Sequence, residues 1–282
     1  MVRERTRVPV THPFLHGPWP RAFAHRGWHL GDLDGMENSL SAFRRAVAEG
    51  YRYIETDVHA TADEVVVISH DPSLDRTTDG RGTIRRLPWS AVGAARVGGR
   101  EPVARLDDVL EELPEALLNV DVKHDSAVRP VLEVLRRHDA WNRVCLAAFD
   151  DRRLRELRRL GDERLLTSMG QRTAATLWSA SRYGGWGLRS RVAGWAAQVP
   201  PRHGSLRVVD PRFVRLAHRW GLEVHAWTVD EPARMRELLD LGVDGLVTDR
   251  PELLREVLRE RLGADWDASA STRQPRSAPD QP

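Results

Sequence analysis

Residues able to do acid–base and phosphate chemistry stand at the ends of short apolar runs in this chain. Ala22-Phe23-Ala24 leads into His25-Arg26-Gly27, and Tyr53-Ile54 leads into Glu55-Thr56-Asp57. Val65-Val66-Val67-Ile68 leads into Ser69-His70-Asp71, and Leu117-Leu118-Asn119-Val120 into Asp121-Val122-Lys123. Glu55 and Asp57 are two residues apart on an extended run, so both carboxylates project to one face. Asp121 can complete the set from a neighbouring strand. Three oxygen donors with no cysteine nearby suit Mg²⁺ or Ca²⁺ better than Zn²⁺. His25 and His70 are the natural proton carriers, because imidazole takes and gives protons near neutral pH. Arg26 can fork onto phosphate oxygens, while Lys123 adds a compact charge as negative charge builds up. The combination suits a hard metal ion and a phosphate ester.

Lys123 is singular for another reason. Of 43 basic residues it is the only lysine, the other 42 being arginine. On a surface the two serve solubility equally, but they differ where a point charge must fit a tight site. Lys123 follows Asp121 by two residues on the same strand face, which places it with the carboxylates.

These residues need elements to hold them, and the chain supplies strands alternating with helices. The apolar runs read as buried parallel strands. Helix-like segments follow at 39–47, with Asn38 or Ser39 as N-cap and Gly50 as stop, and at 128–138, 150–160, 212–220 and 231–241. Persistent alternation predicts a parallel sheet closed into a distorted (β/α)8 barrel, whose active site forms at the carboxyl ends of the strands. There is no room for a helix between Asp57 and Val65, so a short extended crossover is expected between strands 2 and 3. Runs at 164–167 and 196–199 bring the count to nine candidate strands for eight places, that at 196–199 being the weakest. Residues 72–105 form a turn-rich insertion after strand 3, either a lid or a surface decoration. A Gly- and Trp-containing loop at 183–191 is expected at the same rim. His218 falls on a predicted helix with no place in the site.

The 282 residues suit one barrel domain over 1–262, with a Ser/Ala/Pro/Arg-rich tail at 263–282 read as disordered. A formal charge of +2 makes no demand for a nucleic-acid partner. Cys145, the single cysteine, lies in an apolar run and is expected to pack rather than react. The first twenty residues lack an apolar signal core and no run is long enough to span a bilayer, which points to a cytoplasmic enzyme.

The ordered set of motifs resembles the glycerophosphodiester phosphodiesterase family. It comprises His25-Arg26-Gly27, Glu37-Asn38-Ser39, Glu55-x-Asp57, His70-Asp71, Asp121-x-Lys123, Trp227-Thr228-Val229, Gly242-Val243-Asp244-Gly245 and Thr248-Asp249-Arg250-Pro251. It runs from about residue 23 to 257. The resemblance implies a distorted barrel that uses a divalent metal to hydrolyse glycerophosphodiesters to sn-glycerol 3-phosphate and an alcohol. On the same basis Glu55, Asp57 and Asp121 bind metal, His25 and His70 carry protons, and Arg26 and Lys123 contact phosphate. Trp227 is expected as an apolar wall beside the glycerol. The family usually has glutamate at position 121, so this carboxylate is one methylene shorter. Glu37 is either a site residue or part of a helix entrance. Two other functions are compatible with the barrel. One is a lysophospholipase D acting on lipid-tailed diesters, with Trp186, Leu188, Val192 and Trp195 as its apolar patch. The other is an inactive binding module, against which both histidines and all three carboxylates speak.

Overall fold

The computed structural model describes residues 12–185 and 187–263. The segment 1–11, Trp186 and the predicted tail from 264 onward lie outside the described residues. Eight parallel strands form the barrel: β1 Arg21–His25, β2 Tyr53–Ala60, β3 Leu117–Val122, β4 Val144–Ala147, β5 Leu166–Thr167, β6 Ala196–Val199, β7 Glu223–Ala226 and β8 Gly245–Thr248. They pair in the order β5-β4-β3-β2-β1-β8-β7-β6. Two backbone hydrogen bonds close the ring between its ends, from Met169 N to the Ala196 carbonyl at 3.2 Å and from Trp195 N to the Thr167 carbonyl at 3.1 Å. Helices lie between the strands: α1 Leu40–Ala48, α2 Leu106–Glu112, α3 Val128–Arg137, α4 Asp151–Leu160, α5 Gln171–Tyr183, α6 Pro211–Arg219, α7 Pro232–Asp240 and α8 Pro251–Leu262. No helix among the described residues is long and apolar enough to cross a membrane.

Helix entrances follow local chemistry. The Ser39 hydroxyl accepts from Ala42 N at 3.1 Å and caps α1. Asp150 caps α4 by accepting from Arg152 N, and Asp210 caps α6 by accepting from Arg212 N and Phe213 N. Each satisfies amides that a first turn leaves without partners. Gly50, with φ at +92°, takes the left-handed turn just after α1 that a side chain would resist.

The ninth candidate strand is resolved by pairing. Val66–Ile68 runs antiparallel to β2, with Val58 opposite Ile68 and Ala60 opposite Val66. The chain therefore turns back on itself as a hairpin at residues 61–65, where an extended crossover was expected. Thr61 closes that turn, its hydroxyl accepting from Val65 N at 2.9 Å. So short a connection cannot make a crossover, which needs about a dozen residues. The 196–199 run, weakest by its sequence, is a full barrel strand. The 183–191 loop is also placed differently. Helix α5 carries the chain from the carboxyl rim back to the opposite end before β6 begins, so the loop lies away from the site.

Two apolar layers and a satellite hold this frame. The larger layer fills the space between barrel and helices, built from residues such as Ile54, Leu118, Leu146, Leu154 and Leu254. The barrel interior is closed at its lower end by Phe14, Phe23, Tyr53, Leu117 and Trp195. Among these aromatics Arg21 forks onto Glu223, with Nε–Oε2 and Nη2–Oε1 both at 2.7 Å. The satellite core belongs to the insertion, where Met36, Val67, Leu74, Ile84 and Val97 pack together. His218 has a structural partner after all: its Nε2 lies 2.8 Å from Asp244 Oδ2, the same oxygen that accepts from Val224 N.

Candidate active site

Register alone assembles most of the site. His25 stands opposite Glu55 across β1 and β2, and Asp57 stands opposite Asp121 across β2 and β3. Because side chains alternate faces, Glu55, Asp57 and Asp121 all project into the barrel mouth. Lys123 follows Asp121, and its Nζ lies 2.6 Å from Asp57 Oδ1 and 2.8 Å from Asp121 Oδ2. His70 arrives from the end of the antiparallel strand, and Trp227 from the end of β7. A cavity of about 760 Å³ opens here, lined on one side by His25, Arg26, Glu55, Asp57, His70, Asp121 and Lys123. The structure thus brings together all eight residues singled out from the sequence, since Trp227 forms part of the opposite wall.

Each imidazole is held by its own carboxylate. His25 Nδ1 lies 2.7 Å from Asp249 Oδ1, and His70 Nδ1 lies 2.7 Å from Asp71 Oδ1. A carboxylate accepts, so each Nδ1 carries the hydrogen and Nε2 is left as the second ring nitrogen outside that bond. Asp249 is itself steadied by Asp230, whose Oδ1 accepts from Asp249 N at 2.8 Å and from the Thr248 hydroxyl at 3.0 Å. Burial works against a charged His25 ring, but the Asp249 hydrogen bond and the Glu55 charge outweigh it and raise its pKa. Asp249 is lowered well below the ordinary carboxylate range, its burial overcome by the hydrogen bonds from His25 and His29.

The three carboxylates do not share one fate. Burial, reinforced by the nearby Asp57 charge, pushes Glu55 up to about 8. Asp121 is raised by burial, whereas Asp57 is lowered because Lys123 overcomes its burial. Lys123 in turn is raised, the two aspartates outweighing its burial. Among the described residues no three His, Cys, Asp or Glu side chains converge as a ready metal cluster, since the ammonium lies between Asp57 and Asp121. Two buried oxygens nevertheless lack any hydrogen-bond donor, Glu55 Oε2 and Asp121 Oδ1. Polar oxygens buried without a partner are costly, and a hard cation would satisfy them while favouring the ionised carboxylates.

Four further residues belong to the site through contacts made only in the folded chain. Asn38 is no helix cap: its Nδ2 donates to Asp57 Oδ2 at 3.0 Å while its Oδ1 accepts from the Thr56 hydroxyl at 2.7 Å. Glu37 accepts from Arg26 Nη1 at 2.8 Å and so orients that guanidinium. Asp249 stands at the end of an apolar run, so the rule that found the other site residues also covers it. Arg76, which binds Glu37 and Asp71, had no signal, being one arginine of 42 in a turn-rich stretch.

The far wall of the cavity is apolar, formed by Phe149, Met169, Ala175, Trp178, Leu206 and Val208. It comes from the segments after β4, β5 and β6 and from the first turns of α5. Val192 and Trp195, read as a lipid-facing patch, are buried instead, at 0% and 4% exposure, and Leu188 packs on the core from the opposite end of the barrel. The αβ segment that carries them cannot reach the carboxyl rim.

The chain matches the glycerophosphoryl diester phosphodiesterase family over residues 24–253. A Mycobacterium tuberculosis relative, probable glycerophosphodiester phosphodiesterase 2, is 42% identical over 88% of this chain and 93% of its own. A solved structure of a glycerophosphoryl diester phosphodiesterase candidate from Silicibacter pomeroyi superposes with a TM-score of 0.73 at 25% identity, covering 90% of this chain and 99% of that one. An Oleispira antarctica phosphodiesterase solved with its product sn-glycerol 3-phosphate shares the fold, with a TM-score of 0.69 at 22% identity over 85% of this chain and 97% of that one. With the barrel and the rim residues in place, the match over most of its length means that this chain belongs to the glycerophosphoryl diester phosphodiesterase family and is a phosphoric diester hydrolase.

Proposed function

We propose that this enzyme hydrolyses glycerophosphodiesters to sn-glycerol 3-phosphate and an alcohol, with His25 and His70 as its two proton carriers. One imidazole takes the proton from the attacking nucleophile and the other gives one to the departing alkoxide. The observation that carries the reading is that both histidines open on one cavity beside Arg26 and Lys123, each with Nδ1 fixed by a carboxylate. Arg26 and Lys123 supply the positive charge that a phosphodiester needs and that strengthens as the transition state gains negative charge. Trp227 walls the substrate, its ring edge-on to Phe149 at 5.6 Å.

Glu55, Asp57 and Asp121 would hold a divalent cation, Mg²⁺ or Ca²⁺, through oxygens that include the two lacking donors. Such a cation, when bound, draws charge from the phosphate oxygens and makes phosphorus more electrophilic. The test is turnover of glycerophosphocholine, glycerophosphoethanolamine, glycerophosphoglycerol and a lysophospholipid, with and without chelator. Loss of activity in chelator and its return with Mg²⁺ or Ca²⁺ is expected, with sn-glycerol 3-phosphate as product. Full activity in excess chelator overturns the cation role, and no release of sn-glycerol 3-phosphate overturns the substrate.

A second reading, hydrolysis of a lipid-tailed diester, is favoured by the far wall. At about 760 Å³ the cavity falls in the range that holds drug-sized ligands, roughly 300–1,000 Å³. Its acidic residues are confined to the Glu55, Asp57 and Asp121 set. The aromatic faces opposite already meet cations of the chain itself, Lys123 at 5.9 Å from Phe149 and Arg182 at 3.7 Å from Trp178. That wall suits an uncharged apolar substituent better than a cationic headgroup. The lysophospholipid arm of the same assay decides it.

A further inference from the structure

We propose that Arg76 of the insertion is a positioning residue that orients His70 and Arg26 together. The inference rests on the roles given above to those two residues. Its basis is a continuous chain of charge-assisted hydrogen bonds. Arg26 Nη1 donates to Glu37 Oε1 at 2.8 Å. Arg76 holds that glutamate in a fork, Nη2 to Oε1 at 2.7 Å and Nη1 to Oε2 at 3.0 Å. With its other edge Arg76 holds Asp71, Nε to Oδ2 at 2.6 Å and Nη2 to Oδ1 at 3.2 Å. Asp71 Oδ1 then accepts from His70 Nδ1 at 2.7 Å. One planar guanidinium thus serves two carboxylates, a geometry that an ammonium cannot copy.

The two ends of this chain come from different elements. Arg26 follows β1 and has its backbone in the left-handed region, φ +55°, which few side-chain-bearing residues adopt unaided. His70 ends the antiparallel strand after Ile68. Nothing in the sheet register ties them together, since β1 and Val66–Ile68 are separated by β2. Arg76 supplies the tie. The insertion that carries it is firmly anchored. Leu74 and Val97 are buried in its own core with Met36, which precedes Glu37. Ser41 at the start of α1 also donates to Glu101 of the insertion at 2.6 Å. Residues 72–105 are therefore scaffold for the site rather than decoration.

The two partners make different demands on the kinetics. A displaced Arg26 weakens the hold on ground-state phosphate and raises KM, while a displaced His70 impairs proton transfer and lowers kcat. Losing Arg76 should do both, whereas a merely structural residue would reduce the active fraction and leave KM unchanged. The experiment compares Arg76→Ala and Arg76→Lys with wild type on a glycerophosphodiester substrate, with His70→Ala and Arg26→Ala alongside. Arg81→Ala, at a solvent-facing arginine of the same insertion, controls for general disturbance. Misplacement on the ångström scale can cost about 10²-fold. We expect Arg76→Ala to lose roughly that in kcat/KM with both constants changed, and Arg76→Lys to recover little of it. Free guanidinium at millimolar concentration should restore part of the Ala variant's rate, since Arg76 is 47% exposed and the vacated site is open to solvent. Unchanged kcat and KM in Arg76→Ala overturns the proposal if His70→Ala and Arg26→Ala are impaired. A fall in kcat alone, without guanidinium rescue, overturns it as well. If His70→Ala and Arg26→Ala keep normal kinetics, the site assignment fails and the positioning role fails with it.

Discussion

Lys123 shows what one side chain settles at this site. Its ammonium lies within hydrogen-bond distance of both Asp57 and Asp121, at 2.6 and 2.8 Å, in a space bounded by the Phe149 ring. A guanidinium keeps the charge but is planar and larger, so Lys123→Arg is expected to lower kcat by about 10²-fold with a smaller change in KM. Steady-state kinetics check this, and an unchanged kcat would place Lys123 outside the reaction. Asp249 permits a similar argument. Asn in its place cannot accept as a charged oxygen and can present an amide to Nδ1, which favours the wrong tautomer of His25. Asp249→Asn should lower kcat by roughly 10²–10⁴-fold, the range for loss of a working acid or base. A far-ultraviolet spectrum and melting temperature like those of wild type would show that the fold survives. Normal turnover would dissociate Asp249 from His25 function.

At the scale of elements, the segments after β5 and β6 supply much of the cavity wall opposite Arg26 and Lys123. Ala175 is on the first turns of α5 and lines the apolar wall while remaining exposed. Ala175→Trp fills that wall from a position where substitution leaves stability within about 0.5 kcal/mol. It should reduce kcat/KM for a lipid-tailed diester by roughly tenfold or more while sparing small glycerophosphodiesters. Equal effects on both would show that the wall does not discriminate. The hairpin between β2 and Val66–Ile68 illustrates a different kind of decision. It adds an antiparallel strand and the 72–105 insertion before helix α2, and it puts His70 at the rim next to β2, where a barrel strand in that place would have moved β3 and its Asp121 one strand further from Asp57. Reading the Val65–Ile68 run as a barrel strand followed from its β-branched composition, which marks a buried strand without giving its direction.

For the molecule as a whole, the ion pair inside the barrel is one source of pH-dependent stability in acid. Burial tends to raise Glu223, but the Arg21 charge and the His225 hydrogen bond outweigh it, bringing its pKa from 4.5 to about 2. A carboxyl lowered in the folded state contributes stability that is complete above its unfolded value and lost as pH falls through the folded value. The contribution should therefore hold above about pH 4.5 and fade toward pH 2. Glu223→Gln strands Arg21, which is 4% exposed, and should destabilise the fold at pH 7 by about 3–5 kcal/mol. Urea denaturation between pH 7 and pH 3 checks this: the variant should lose less stability than wild type over the acid limb. Parallel curves would assign acid lability to other carboxylates.

Much of this protein was legible without coordinates, because polar residues at strand ends mark the catalytic rim of a barrel whatever the loops do. Residue types and two-residue spacing placed His25, Glu55, Asp57, His70, Asp121 and Lys123 at one rim, and a helix cap such as Ser39 is a local hydrogen bond that a few residues decide. Pairing partners are not local. Whether Val66–Ile68 ran with or against β2, and whether 196–199 was a strand at all, depended on hydrogen bonds that the local sequence does not encode. The same holds for Arg76, an arginine among 42 until tertiary packing sets its guanidinium between Glu37 and Asp71. Side-chain chemistry is carried by single residues, whereas orientation comes from contacts between distant ones, and only folding brings those together.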